Sequence, residues 1–161
     1  MVSLQIAIAL VIRIVLVVLF LPFSAADKIF NFSGAVAQAR EAAPSRAVAI
    51  ALIVCGLLVE IFMSLGVVTG IADRACAFVL AGYCAATALF WKQFWKPGDF
   101  WASASSQGRL LFWDFLKNLS LGAGFLLVTF GTEASTVGNF LAHPLASSHP
   151  YRIAQDITER S

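Results

Sequence analysis

Arg13, Glu60 and Lys117 are ionisable side chains set inside long apolar runs, and this placement is where chemistry could reside. A charge near the middle of a bilayer costs on the order of 3 kcal/mol on insertion scales, so Arg13 and Glu60, near the middle of their runs, must face protein rather than lipid. Arg13 and Glu60 carry opposite signs at similar depth in the first two runs, which predicts a direct or water-bridged pair between them. Lys117 lies about two turns inside the fourth run. It either snorkels to the surface or joins Glu60 from the other side, and Asp114, one turn earlier, is placed to neutralise it. Asn118 follows directly. Two chemistries fit such a cluster: a buried ion pair that fixes helix register, or a polar pocket that binds a quinone head group or relays a proton. A third arrangement has a partner protein supplying the countercharge.

What is missing narrows the chemistry. No histidine falls in any apolar run, and His143 and His149 both lie in the C-terminal tail. A bis-histidine haem inside the bundle would therefore need ligands from a partner. The sequence contains no glycine-rich phosphate loop, no Cys/His metal spacing and no Ser/His/Asp arrangement placed for hydrolysis. Cys55, Cys76 and Cys84 sit within apolar runs and read as packing residues. The expectation is a chain with no covalently bound or metal-ligated cofactor, in which a quinone is the cofactor that remains open.

The elements that must position these residues are spanning helices. Of 161 residues, 60% are hydrophobic and 12% charged, which points to lipid as the solvent. The formal net charge of +2 is too small and too scattered for a nucleic-acid partner. A spanning helix needs roughly 20 mostly apolar residues, because hydrocarbon offers the backbone no hydrogen-bond partners. Four stretches qualify: about Leu4 to Phe23, Ala47 to Gly70, Ala75 to Trp91 and Leu110 to Gly131. Ser24-Ala25-Ala26 resembles a signal-peptide cleavage site, but Arg13 inside the apolar core and the uncharged N-terminus favour a retained span. Small residues at Ala77, Ala81 and Ala85, and the Gly66/Gly70 pair, suit close helix approach in lipid.

The expected architecture is thus all-α, an integral membrane four-helix bundle with a short interfacial helix after the first span and an irregular C-terminal tail. The bundle occupies residues 1–131 and the tail 132–161. The interfacial helix is expected over Ser33 to Glu41, capped by Ser33 and stopped by Pro44. In the tail, Pro144, Pro150 and Ser147-Ser148 suggest irregular chain, followed by a short helix from Ile153 to Arg160. All four tryptophans, Trp91, Trp95, Trp101 and Trp113, fall between Phe90 and Trp113, and with Lys92 and Lys96 they read as anchors at the headgroup boundary. Counting Lys28, Arg40, Arg46, Lys92, Lys96 and Arg109 on the two long connections against Arg74, Arg152 and Arg160 opposite, the positive-inside rule places both termini outside.

These features together resemble the DoxX family of small four-helix membrane proteins. The resemblance is carried by Arg13 and Leu19-Phe20 of the first run, by Lys28, and by the segment Asn31-Phe32-Ser33-Gly34-Ala35-Val36-Ala37. It continues through Glu60, Gly66 and the Ala72-Asp73-Arg74-Ala75 turn. The run Lys117-Asn118-Leu119 leading into Gly122 and Gly124 is its most specific part. What the resemblance implies is a redox-linked subunit of the bacterial inner membrane, since the family is named after a subunit associated with a quinol oxidase and relatives occur with thiosulfate:quinone oxidoreductase activity. It implies no agreed catalytic residues, so a non-catalytic subunit is favoured over an enzyme. The leading expectation is an accessory subunit of a quinone-linked system, with lipid and a membrane redox complex as partners and Arg13, Glu60, Lys117 and Asn118 as the polar centre. A structural subunit packed against a larger membrane assembly, with the tail as docking element, is the first rival. A small transporter gated by Arg13 and Glu60 is the second.

Overall fold

The fold was taken from a computed structural model, which describes residues 2–131 and 135–151. The described residues form helices joined by turns and irregular chain. Four helical stretches are long and apolar enough to cross a membrane: Leu4–Phe30, Arg46–Thr69, Asp73–Trp91 and Gln107–Phe130. They pack as an integral membrane bundle whose outer surface carries exposed large apolar side chains, as lipid contact requires.

The first span runs further than its apolar stretch suggested. Helix α1 (Val2–Val17) passes through a π-helical turn (Leu19–Ser24) into α2 (Ala25–Phe30) without leaving the helical path. Pro22 accounts for the wide turn. It has no N–H to donate and crowds the preceding carbonyls, and a π-turn gives its ring room while the Ala25 N–H reaches back to Phe20 O. Ser24, Asp27 and Lys28 therefore continue the first span instead of starting a loop.

A short helix α3 (Phe32–Arg40) follows, close to the expected interval. Its cap residue is Asn31 rather than Ser33, and its buried Val36 and Ala39 pack on Ala49 of the next helix. Helix α4 (Arg46–Thr69) begins at Ser45, whose hydroxyl accepts from the Val48 N–H at 3.3 Å. It ends at Gly70, in the left-handed region at φ 79°. The two glycines singled out in the sequence thus do different jobs. Gly70 terminates α4, while Gly66 lets α5 (Asp73–Trp91) approach, since a Cβ there would sit 2.3 Å from Cys76 Sγ.

Helix α5 is the centre of the bundle, with Ala77, Leu80, Ala81, Cys84 and Ala88 buried. Its small side chains meet α6 (Gln107–Phe130) at Gly122, where a Cβ would lie 3.4 Å from that of Cys84. Phe20, Val67 and Phe125 complete this core. Cys55, by contrast, is exposed on α4 and is not a packing residue.

Between α5 and α6 the chain folds around Phe94, whose ring lies 5.0 Å from Trp95 and Phe112 and 5.4 Å from Phe115. Asp99 closes the connection by accepting from the Gln107 and Gly108 N–H groups at 3.0 and 2.8 Å, so it caps α6 from a distance. Trp91 ends α5, and Trp95, Trp101 and Trp113 are exposed near the same end of the bundle, beside Lys92 and Lys96.

The tail is less irregular than its composition suggested. Helix α7 (Ser135–Ala142) buries Phe140 against Phe78 and Phe130, with centroids 5.5 and 5.4 Å apart. Residues 143–151 then cross the α4–α5 turn, where Pro150 packs on Gly70 and Tyr151 donates to Val68 O. The helix expected from Ile153 to Arg160 lies outside the described residues.

Candidate functional site

Arg13 and Glu60 do not pair. Glu60, 1% exposed on α4, is held by the first span's far end: Lys28 Nζ lies 2.7 Å from Oε1 and 3.0 Å from Oε2. Ser24 Oγ and Tyr83 Oη donate to the same Oε1 at 3.0 and 2.8 Å. Lys28 also donates to Ser24 Oγ at 2.6 Å. A buried carboxylate needs this many donors to offset its lost hydration. Its Oε1 receives three, whereas Oε2 receives only Lys28 among the described residues, which leaves acceptor capacity on Oε2.

Arg13 is at the opposite end of the bundle. One guanidinium nitrogen donates to Val67 O at 2.6 Å; the other meets Asp73 Oδ2 at 2.7 Å and Ser148 Oγ at 2.9 Å. The Ser148 N–H donates to Asp73 Oδ1 at 2.8 Å. Asp73 is fully buried in the first turn of α5, where a negative charge is favoured, and Val67 O is one of the carbonyls that the end of α4 leaves without a helical partner. This cluster therefore closes the α4–α5 turn beneath the tail. Arg74 acts similarly, donating to Thr129 O at 2.8 Å in the last turn of α6.

The expected pair failed on depth. Arg13 and Lys28 are fifteen residues apart, about 22 Å along a helix. Arg13 reaches the end of α4, whereas Glu60, more than two turns earlier, faces the π-turn and α2.

Glu60 opens onto a cavity of about 380 Å³. Leu19, Phe20 and Leu121 form apolar wall, and Lys117 and Asn118 also line it. Three of the four residues in the expected polar centre are thus brought to one cavity, and Arg13 is not. Lys117 does not reach Glu60. It is three-quarters exposed and pairs loosely with Asp114 at 3.4 Å, while Lys92 meets the same carboxylate at 3.2 Å. Asn118 donates from Nδ2 to Asp114 O at 2.9 Å.

Sequence reasoning missed Lys28, Ser24 and Tyr83 as partners of Glu60. A signal for Lys28 was available: a lysine one helical turn after a serine, directly beyond an apolar run. Tyr83 gave none, because one hydroxyl in an apolar helix looks like core.

The charged arrangement ties the first three spans together, and a family model matches this part of the chain. The DoxX model covers residues 8–93, 86 of the 161 residues. The chain belongs to the DoxX family. The DoxX match includes Arg13, Lys28, Glu60, Asp73 and Tyr83; Asp114, Lys117 and Asn118 on α6 lie beyond it. No curated protein and no solved structure matches the chain. With four spanning helices and this family membership, it is a multi-pass membrane protein.

Proposed function

We propose that this DoxX protein is an accessory subunit of a quinone-linked redox system in a bacterial inner membrane, and that it binds a quinone head group in the Glu60 cavity. The observation that carries this reading is the make-up of the cavity: an apolar wall from Leu19, Phe20 and Leu121 around Lys28, Glu60 and Tyr83. Pockets that hold small cofactors are mostly apolar with a few convergent polar groups. In this reading the exposed Lys117 ammonium donates to a quinone carbonyl, Lys28 holds the Glu60 carboxylate in place, and Glu60 Oε2 accepts from a quinol hydroxyl. Electrons come from a partner subunit, and this chain supplies the cavity and the proton-exchanging pair.

Calorimetric titration of the purified protein in detergent with a ring-tetrasubstituted benzoquinone tests the reading. The double variant Lys28→Met/Glu60→Gln removes both charges together and so leaves neither one buried alone. Saturable binding by the wild-type protein that disappears in the double variant is the expected result. Absence of wild-type binding, or equal binding by both, contradicts it.

A structural subunit is the second reading, and one observation favours it. Ahead of Arg13, α1 presents exposed Leu4, Ile8, Val11 and Ile12, a face suited to a neighbouring membrane helix as well as to lipid.

A further inference from the structure

A second cavity of about 450 Å³ lies between α3, α4 and α5, behind the Glu60 site. The two cavities share Lys28, Tyr83, Thr87 and Lys92, so the polar side chains that line one also form a wall of the other. Beyond that wall the lining changes character. Ile53 and Val59 of α4 and Ala86 and Phe90 of α5 make it almost wholly apolar, and Ala35 and Ala39 close it from α3. Leu52 and Phe90, 42% and 60% exposed, stand on its rim, so the groove opens on the side of the bundle between α4 and α5.

From this geometry we infer that the groove between α3, α4 and α5 takes the alkyl chain of the same molecule whose head group occupies the Glu60 cavity. The inference rests on the quinone reading and narrows it to membrane-soluble quinones with a long chain. Three features select that occupant over a separate lipid. The groove adjoins the head-group cavity along Lys28, Tyr83, Thr87 and Lys92, its lining beyond those residues is mostly apolar, and its rim carries apolar side chains of the spanning helices α4 and α5. Under this assignment the interfacial helix α3 is one side of a binding site. A chain bound there lies against Cys55, the exposed thiol among the three cysteines.

Cys55 supplies the test in the native chain. The rate of its alkylation by N-ethylmaleimide, followed by peptide mass mapping, is measured with two ligands: a tetrasubstituted benzoquinone bearing a decyl chain, and the same ring with a methyl group in its place. Full ring substitution prevents the thiol from adding to the quinone. With the decyl compound at about ten times its dissociation constant, mass action is expected to hold Cys55 alkylation to roughly a tenth of its free rate. The chainless ring is expected to bind by calorimetry and leave the rate unchanged. A second variant, Ala86→Phe, fills the groove: its affinity for the decyl compound should fall to that for the chainless ring, whose own affinity is kept. Binding of both rings with equal protection, or with none, overturns the inference while leaving the head-group reading intact. Should Cys55 react too slowly to follow, the Ala86→Phe comparison decides: equal affinity of wild type and variant for the decyl compound overturns the inference. Failure of the decyl compound alone to bind overturns the inference, and failure of both rings to bind removes the head-group reading itself.

Discussion

Lys28 and Glu60 meet at 2.7 Å across the first two spans, with side chains 17% and 1% exposed. Glu60 is fixed by its position inside α4, whereas Lys28 arrives only because the first span continues through the π-turn at Pro22. The charge that explains Glu60 thus comes from residues whose composition looks like the start of a loop.

Breaking this pair from one side should be costly. Glu60→Gln leaves the Lys28 ammonium in a mostly buried site, and loss of one partner of such a pair typically costs about 3 kcal/mol. Thermal unfolding in detergent should show a clear fall in Tm, and the double variant Lys28→Met/Glu60→Gln should regain most of it. A single variant as stable as wild type would mean that the pair does not hold the two spans together.

Ser148 ties the tail to the opposite cluster through Arg13 and Asp73. Hydrogen bonds to charged groups contribute about 1.5–3 kcal/mol, so Ser148→Ala should lower stability by about 2 kcal/mol. Quinone binding at the distant Glu60 cavity should be unaffected. Matched Tm and binding measurements separate the two effects.

Much of the architecture was legible because hydropathy and length decide spanning helices. The last three spans and α3 fall within a few residues of their expected places, and Glu60, Lys117 and Asn118 do share a cavity. Pairing was not legible. Depth was judged from the ends of the apolar runs, and the first helix ignores its run's end at Phe23. Asp73 looked like a turn residue, although it is fully buried at the start of α5. Ser148 is too distant in sequence from both its partners for spacing to reveal it. Helix α7 was hidden by the Pro- and Ser-rich chain beyond it; Phe140 is stabilised by Phe78 and Phe130, which no local pattern connects to it.

The α4–α5 crossing depends on Gly66. A methyl group there must displace Cys76 and meets Ile71 O at 3.1 Å. Overpacking of this kind costs about 1–3 kcal/mol. Gly66→Ala should therefore destabilise the protein, and by less when Cys76→Ala is already present. A double-mutant cycle showing no coupling would contradict the contact.

Asp99 caps α6 through two backbone N–H groups. Asp99→Ala should cost about 1 kcal/mol, and Asp99→Asn should retain part of the stabilisation. Chemical denaturation of the two variants beside wild type checks the order.

The most direct test of the central claim is the quinone content of the protein purified from its own membrane in mild detergent, quantified by mass spectrometry beside the Lys28→Met/Glu60→Gln variant. Stoichiometric quinone in the wild-type protein, reduced to background in the variant, is the expected result. A wild-type protein that carries no quinone, or a variant that retains as much, would contradict it.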